Sequence, residues 1–109
     1  MQRMGFCNRL RREKAAEYKA LHAQAWPGVL AKISACNIRN FSIFLREPEN
    51  LLFACWEYHG EDFAADLATM AADEVTQRWW RMTDPCQEPY ESRGPGENWA
   101  GMTEIFYQP

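Results

Sequence analysis

Three side chains able to bind or act on a ligand recur at every fourth residue early in the chain: Tyr18, His22 and Trp26. On an α-helix, positions four apart differ by only about 40° around the axis, so all three share one face. Imidazole has an unperturbed pKa near neutrality, which suits proton transfer, and flanking aromatic rings suit the apolar face of a sugar or another flat ligand. Aromatic residues at helical spacing also suit a buried core. His22 is therefore a candidate acid–base residue, with a structural role left open.

Three later segments add to this pattern, and the four together resemble the L-rhamnose mutarotase family in order and rough spacing over essentially the whole chain. Each segment alone is common, whereas four in sequence across 109 residues are fairly specific. The segments that carry the resemblance are Tyr18-x3-His22-x3-Trp26-Pro27, Asn50-Leu51-Leu52-Phe53-Ala54, Gln77-Arg78-Trp79-Trp80 and Ile105-Phe106-Tyr107-Gln108-Pro109.

The resemblance implies an isomerase that interconverts the α and β anomers of L-rhamnose or a related 6-deoxy-hexose. The catalytic histidine of the family falls on His22, and its sugar-contacting residues fall on Tyr18, Trp79 and Trp80. Adjacent tryptophans on a helix point about 100° apart, so one could stack on the sugar while the other closes the wall or packs in the core.

Phe41 marks a departure, because the family typically places a sugar-contacting tyrosine at this position of the second strand. Losing a hydroxyl group from a buried polar site can alter selectivity substantially. The spacing from Ala54 to Gln77 and the loop at residues 86–98 also look longer than in the rhamnose enzymes. These changes leave L-fucose open as the preferred sugar.

The reaction would require only proton transfers, because the C1 hydroxyl loses a proton and the ring oxygen gains one as the ring opens. Positioned acid–base catalysis suffices for such steps. The sequence contains neither of the nucleotide-binding patterns GxGxxG and GxxxxGK, and it lacks the GxSxG pattern that carries a nucleophilic serine. Its four cysteines lie far apart without a CxxC pair, which disfavours a metal site. We therefore expect no cofactor and no metal.

Composition restricts the partners and the compartment. A chain of 109 residues with 47% hydrophobic content is expected to form one domain, residues 1–109. A net charge of −3 without basic clusters argues against nucleic acid and anionic membranes and suits a neutral monosaccharide. The chain has no apolar run long enough for a signal peptide or a membrane span, and four free thiols suit a reducing cytosol. A cytoplasmic protein is the expectation.

Periodicity divides the chain into strands and helices in the order β-α-β-β-α-β, which predicts a ferredoxin-like α+β sandwich. The resemblance implies the dimeric α+β barrel type of this fold. The strands of the predicted hairpin are apolar on both faces, so we expect a second copy or a ligand to cover the face that the helices leave free and predict a homodimer. The predicted elements are strand 1–10, helices 11–25 and 27–35, strands 38–46 and 51–58, helix 63–71 capped by Asp62, a helix capped by Asp73 and running through residue 82, a loop at 86–98 and strand 102–107.

Two other classes of function remain open at the level of sequence. A dimeric-barrel monooxygenase also uses a pocket lined by Trp, Tyr and His, and a haem-binding variant would use His22 as an axial ligand. A non-enzymatic ligand-binding module would use the same aromatic residues for stacking. Replacing His22 separates these cases, because a binder would keep its ligand whereas an isomerase would lose turnover.

Overall fold

An antiparallel β-sheet forms the centre of the molecule, and its side chains alternate between the two faces. The structure, a computed structural model, describes residues 1–109. The helices pack against one face of the sheet, where strand residues and helix residues share the core. The elements are β1 (Gln2–Leu10), α1 (Ala15–Ala23), α2 (Pro27–Ala35), β2 (Ile38–Arg46), β3 (Leu51–Tyr58), α3 (Phe63–Ala72), α4 (Glu74–Thr83), β4 (Gln87–Glu88) and β5 (Ala100–Met102).

The sheet has the order β2-β3-β1-β4, and β5 pairs with the same edge of β1 as β4. β1 and β3 form the longest ladder, which runs from Gln2 opposite Tyr58 to Arg9 opposite Leu51. The predicted β-α-β-β-α-β order and α+β class are confirmed. The central strand comes from the N-terminus, so the first helix leaves directly from the middle of the sheet.

Local sequence signals set the ends of the helices. Pro27 occupies the first turn of α2, and the residue before it, Trp26, is extended, as expected before proline. The Asp62 side chain accepts a hydrogen bond from Ala65 N at 3.1 Å, and Asp73 accepts one from Thr76 N at 3.0 Å. Both predicted N-caps are confirmed. The first helix is shorter than predicted, since α1 follows a 3-10 turn at Arg12–Lys14.

Two apolar clusters fill the space between the sheet and the helices. The first joins α2, β2, β3 and α3, and the second joins β1, α1, β3 and the 3-10 turn Asp84–Cys86 that follows α4. The first cluster contains Cys36, Ile38, Trp56, Tyr58 and Met70. The second contains Leu10, Tyr18, Leu52 and Cys86. Tyr18, on the predicted chemical face of α1, is therefore fixed in the core.

The opposite face of the sheet is apolar and exposed in a single copy of the chain. Phe44 and Phe53 lie opposite each other on β2 and β3 and are 62% and 37% exposed. Cys55 is also exposed, and Met102 on β5 is 43% exposed. We call these four residues the outer face. The prediction that these strands are apolar on both sides is confirmed.

The predicted position of the last strand, residues 102–107, was wrong: β5 covers Ala100–Met102 and shares only residue 102 with the prediction. Beyond it the tail bonds to side chains rather than continuing the ladder. Arg3 Nε donates to Glu104 Oε2 at 2.9 Å, and its guanidinium carbon lies 3.2 Å from the centre of the Tyr107 ring. Ile105 and Phe106 are 93% and 79% exposed.

A β-bulge interrupts β2 before the aromatic position that departs from the family. Pairing with β3 shifts register between Arg39 and Ser42. Asn40 has a φ of 51°, a left-handed conformation that asparagine adopts more readily than most residues. The extra residue turns Phe41 toward the helices.

Among the helices, none combines the length and the hydropathy required of a membrane span.

Candidate active site

A pocket of about 500 Å³ opens between α1, α2, α4 and the bulged part of β2. Of the five predicted site residues, it brings together His22, Phe41 and Trp79. Apolar side chains of α2 form much of the wall: Val29, Leu30 and Ile33. The remaining lining residues are Ala25, Ser34, Ile38, Arg39, Asn40 and Ile43.

His22 is held in one tautomer by its own helix. Its Nδ1 lies 2.8 Å from the carbonyl oxygen of Tyr18, and a carbonyl can only accept a hydrogen bond. Nδ1 therefore carries a proton. In the neutral ring, Nε2 is then the unprotonated nitrogen, free to accept a proton from a ligand in the pocket.

Tyr18 lies directly beneath the imidazole. The centres of the Tyr18 and His22 rings are 4.3 Å apart at an interplanar angle of 38°. Tyr18 is 5% exposed and does not line the open pocket. Burial raises the pKa of Tyr18 to about 12, so its hydroxyl stays protonated at neutral pH.

Trp79 forms the wall beside His22. Its ring meets the imidazole edge-to-face at a centroid distance of 5.2 Å, and Trp26 meets Trp79 in the same way at 5.2 Å. Edge-to-face contacts of this kind are favourable because ring edges are positive and ring faces negative. The predicted face Tyr18-His22-Trp26 thus meets α4 through Trp79, and Trp26 packs on Trp79 without lining the pocket.

The structure separates Trp80 from the pocket, whereas Phe41 lies on its rim. Trp80 is 37% exposed on α4 and is absent from the lining, so a sugar contact by this residue stays a prediction. Phe41 is 42% exposed and stacks on Trp56, with ring centres 6.3 Å apart. One aromatic surface of Phe41 therefore remains available to a ligand.

Sequence reasoning missed the polar part of the pocket lining. Arg39 Nη1 donates to the carbonyl of Ser34 at 2.7 Å, and Asn40 Nδ2 donates to Glu57 Oε1 at 3.0 Å. An asparagine within a strand was the available signal, since asparagine tolerates the left-handed backbone of a bulge. Both residues line the pocket, and the two cited donors are held by Ser34 and Glu57.

The ionisable groups of the pocket are His22 and Arg39. Nowhere in the structure do three or more His, Cys, Asp or Glu side chains cluster as metal ligands. His59, for which no chemistry was predicted, lies outside the pocket, with its Nε2 2.8 Å from Glu57 Oε1. The arrangement offers one imidazole for proton transfer and aromatic surfaces for a small flat ligand.

The fold is an α+β sandwich of the dimeric α+β barrel type, and its pocket combines one imidazole with aromatic side chains. The family model described as L-rhamnose mutarotase matches residues 3–108. The chain therefore belongs to the L-rhamnose mutarotase family, and the predicted family and enzyme class, an isomerase, are confirmed.

Curated relatives agree with this assignment, and a solved structure shares the fold. The L-rhamnose mutarotase of Shigella flexneri is 30% identical over 115 residues, covering 100% of both chains. That of Bacillus subtilis is 33% identical, covering 87% of this chain and 86% of the relative. The crystal structure of an L-rhamnose mutarotase from Formosa agariphila matches with a TM-score of 0.78 at 24% identity, covering both chains completely.

A second solved structure shares the fold alone. Tetracenomycin F2 cyclase from Streptomyces glaucescens, a type-II polyketide cyclase, matches with a TM-score of 0.69 at 15% identity over the full length of both chains. At this identity the match shows a shared fold and no shared function, because function depends on the site and not on the fold.

Proposed function

We propose that this chain catalyses the interconversion of the α and β anomers of L-rhamnose, with His22 as the acid–base residue. Family membership supplies the reaction class. The observation that carries the catalytic assignment is the hydrogen bond from His22 Nδ1 to the Tyr18 carbonyl at 2.8 Å. That bond fixes Nδ1 as the protonated nitrogen and presents Nε2 as a base at an aromatic pocket.

In this mechanism His22 moves the proton that the ring opening requires. Nε2 takes the proton of the C1 hydroxyl, the C1–O5 bond breaks, and O5 receives a proton from the resulting imidazolium. The open-chain aldehyde turns about its C1–C2 bond. Closure reverses both proton transfers on the other face of the carbonyl, and His22 returns to its starting form.

Aromatic surfaces hold the sugar during this cycle. Trp79 stands beside the imidazole, so a pyranose packed against it would place its anomeric centre near Nε2. The α2 residues and Phe41 line the remaining apolar wall, which suits the methyl group of a 6-deoxy sugar. Stacking and apolar contact orient the ring without competing for the proton-transfer nitrogen.

The choice among 6-deoxy sugars depends on the polar lining. Phe41 offers no hydroxyl group where the family places a tyrosine, and Arg39 and Asn40 are the nearby polar groups of the pocket. L-Rhamnose is the proposed substrate because the family is defined by it. L-Fucose is the competitor, since a missing hydrogen bond lowers discrimination among hydroxyl configurations.

Saturation-transfer NMR on a panel of reducing sugars tests the proposed activity. We expect faster exchange between the anomers of L-rhamnose than in buffer alone, with no added cofactor and with EDTA present. L-Fucose and D-glucose provide the comparison for selectivity. Exchange at the buffer rate for every 6-deoxy-hexose would contradict the proposed function.

We further propose that the active form is a homodimer in which a second copy covers the outer face. Phe44, Phe53 and Met102 expose apolar surface on the sheet side opposite the helices, and sheets of this composition are stable when covered on both sides.

The four unpaired cysteines suit a reducing compartment, and we propose the cytoplasm.

A further inference from the structure

Three side-chain amides form a cluster behind the pocket wall that the proposed mechanism does not use. Asn8 on β1 is 0% exposed and Gln87 on β4 is 4% exposed, whereas Asn98 lies in the exposed loop before β5. Both asparagine amides donate to Gln87 Oε1, at 3.2 Å from Asn8 Nδ2 and 2.8 Å from Asn98 Nδ2. We call these residues the amide cluster.

The cluster fixes which end of Gln87 faces Tyr18. Arg9 N donates to Asn8 Oδ1 at 2.9 Å, so the Nδ2 of Asn8 must be the end that points to Gln87. With two donors on its Oε1, Gln87 presents its Nε2 to the Tyr18 hydroxyl oxygen, 3.2 Å away. The Tyr18 oxygen is therefore the acceptor in this bond.

An accepting Tyr18 hydroxyl keeps its own proton free. No protein acceptor lies within hydrogen-bonding distance of that proton, because the bond from Gln87 is the one bond that the hydroxyl makes. Buried polar hydrogens without an acceptor are rare in folded proteins. Tyr18 stacks on His22, and Ile43 packs against the cluster of Tyr18 and also lines the pocket. The acceptor can thus come from the pocket side.

We infer that Gln87 is a positioning residue that keeps Tyr18 a hydrogen-bond donor toward an oxygen of the bound sugar. This inference rests on the proposed function. Gln87 touches neither the sugar nor His22 and acts through Tyr18. Rotation of its amide would present Oε1 to Tyr18 and draw the phenolic proton away from the pocket.

Gln87→Glu tests the direction of this hydrogen bond. The substitution keeps an acceptor for the two asparagines but replaces the donor with a second acceptor, to which Tyr18 would donate. At about pH 8 the amide donors keep this carboxylate ionised. We expect the half-saturating L-rhamnose concentration to rise about three- to tenfold, the range of one lost neutral hydrogen bond, with the maximal exchange rate within about twofold of wild type.

A matched control and a double variant separate positioning from general damage. Gln2→Glu makes the same change at an exposed residue of β1 and should leave the half-saturating concentration unchanged. In a Tyr18→Phe background, Gln87→Glu should add nothing further, because the proton it redirects is gone. A Gln87→Glu variant that matches Gln2→Glu, or that adds its full effect in the Tyr18→Phe background, would overturn the inference.

Asn98→Asp covers the case in which Gln87→Glu does not fold. Asn98 Nδ2 also lies 3.5 Å from Asp84 Oδ1, so the substitution is made together with Asp84→Asn to avoid placing two carboxylates side by side. The new carboxylate would repel Gln87 Oε1 and attract Nε2, and this charge-assisted contact outweighs the neutral donor Asn8. The amide then turns its oxygen toward Tyr18, and the half-saturating concentration should rise, whereas a wild-type value would contradict the inference. Wild-type protein that fails to accelerate exchange would instead overturn the proposed function itself.

Discussion

One residue, Tyr18, supports His22 through its carbonyl and its ring, and its hydroxyl contacts Gln87. Its carbonyl fixes the tautomer at 2.8 Å, its ring lies 4.3 Å from the imidazole, and its hydroxyl receives the Gln87 amide. The carbonyl belongs to the backbone and survives any substitution. Tyr18→Phe should therefore retain the His22 tautomer and lose affinity more than turnover.

Trp79 and Trp80 should differ in their effects, although sequence assigned both to the sugar. Trp79→Ala should weaken L-rhamnose binding by about 1 kcal/mol or more, because it removes the wall beside His22. Trp80→Ala, at an exposed neighbour on the same helix, should have a smaller effect. Titration of each variant by NMR measures the affinities, and thermal melting checks that both fold. Equal affinity for wild type and Trp79→Ala would place Trp79 in the core alone.

Phe41→Tyr tests the selectivity of the pocket. The new hydroxyl would stand on the rim that Phe41 now forms, where it can bond one sugar hydroxyl. We expect the ratio of L-rhamnose to L-fucose exchange efficiency to change, with little change in melting temperature. The ratio measured for wild type under the same conditions is the reference, and an unchanged ratio would exclude this position from sugar discrimination.

At the scale of elements, α4 carries Trp79, and its N-cap fixes where the helix begins. Asp73 Oδ2 accepts from Thr76 Oγ1 at 2.8 Å and from Thr76 N at 3.0 Å. These two bonds hold the pKa of Asp73 below its ordinary value of 3.8, and the side-chain bond has the larger effect. A lowered folded-state pKa means that this carboxylate stabilises the fold above the unfolded-state pKa and loses the effect as the pH falls through the folded-state pKa.

Asp73→Asn should therefore lower the melting temperature at neutral pH, and the gap to wild type should narrow as the pH falls below about 4. Circular dichroism melts of both proteins across this range measure the gap. Asp62→Asn, at the exposed N-cap of α3, is the control for losing a capping charge. A gap that stays constant down to low pH would show that ionised Asp73 does not stabilise α4.

Elements with local signals were predictable from sequence, and those set by distant contacts were not. The starts of three helices are marked locally, by Pro27, Asp62 and Asp73. The ends of these helices were predicted to within about two residues. The bulge at Asn40 and the end of β5 depend on partners far along the chain, Glu57 and Arg3. Hydrophobic periodicity within a segment does not indicate such distant pairs.

The candidate site divides in the same way. The spacing of Tyr18 and His22 was visible in the sequence because one helix carries both. Trp79 lies on α4, a separate helix far along the chain, so its place in the site was predicted only from the family resemblance. Gln87 gave no signal at all. It lies 79 residues from Asn8, and the sequence predicted a loop at 86–98, whereas the structure pairs Gln87 with Leu10 in β4.

At the scale of the whole molecule, the outer face leads to a prediction about assembly. Light scattering should give about twice the 12.7 kDa of one chain, because association removes the exposed apolar face from water. Phe44→Glu places a charge on that face and should shift the protein toward monomer. Glu61→Gln, a charge change at an exposed residue between β3 and α3, should leave the mass unchanged. A wild-type monomer at micromolar concentration would contradict the dimer.

The central claim is that His22 transfers the proton, and saturation-transfer NMR of L-rhamnose with His22→Ala tests it most directly. We expect the maximal exchange rate to fall by roughly 10²-fold or more, with the half-saturating sugar concentration little changed, because Trp79 and Phe41 still hold the sugar. His59→Ala removes the only other histidine of the chain, which lies outside the pocket, and should exchange at the wild-type rate. Wild-type exchange by His22→Ala would contradict the account.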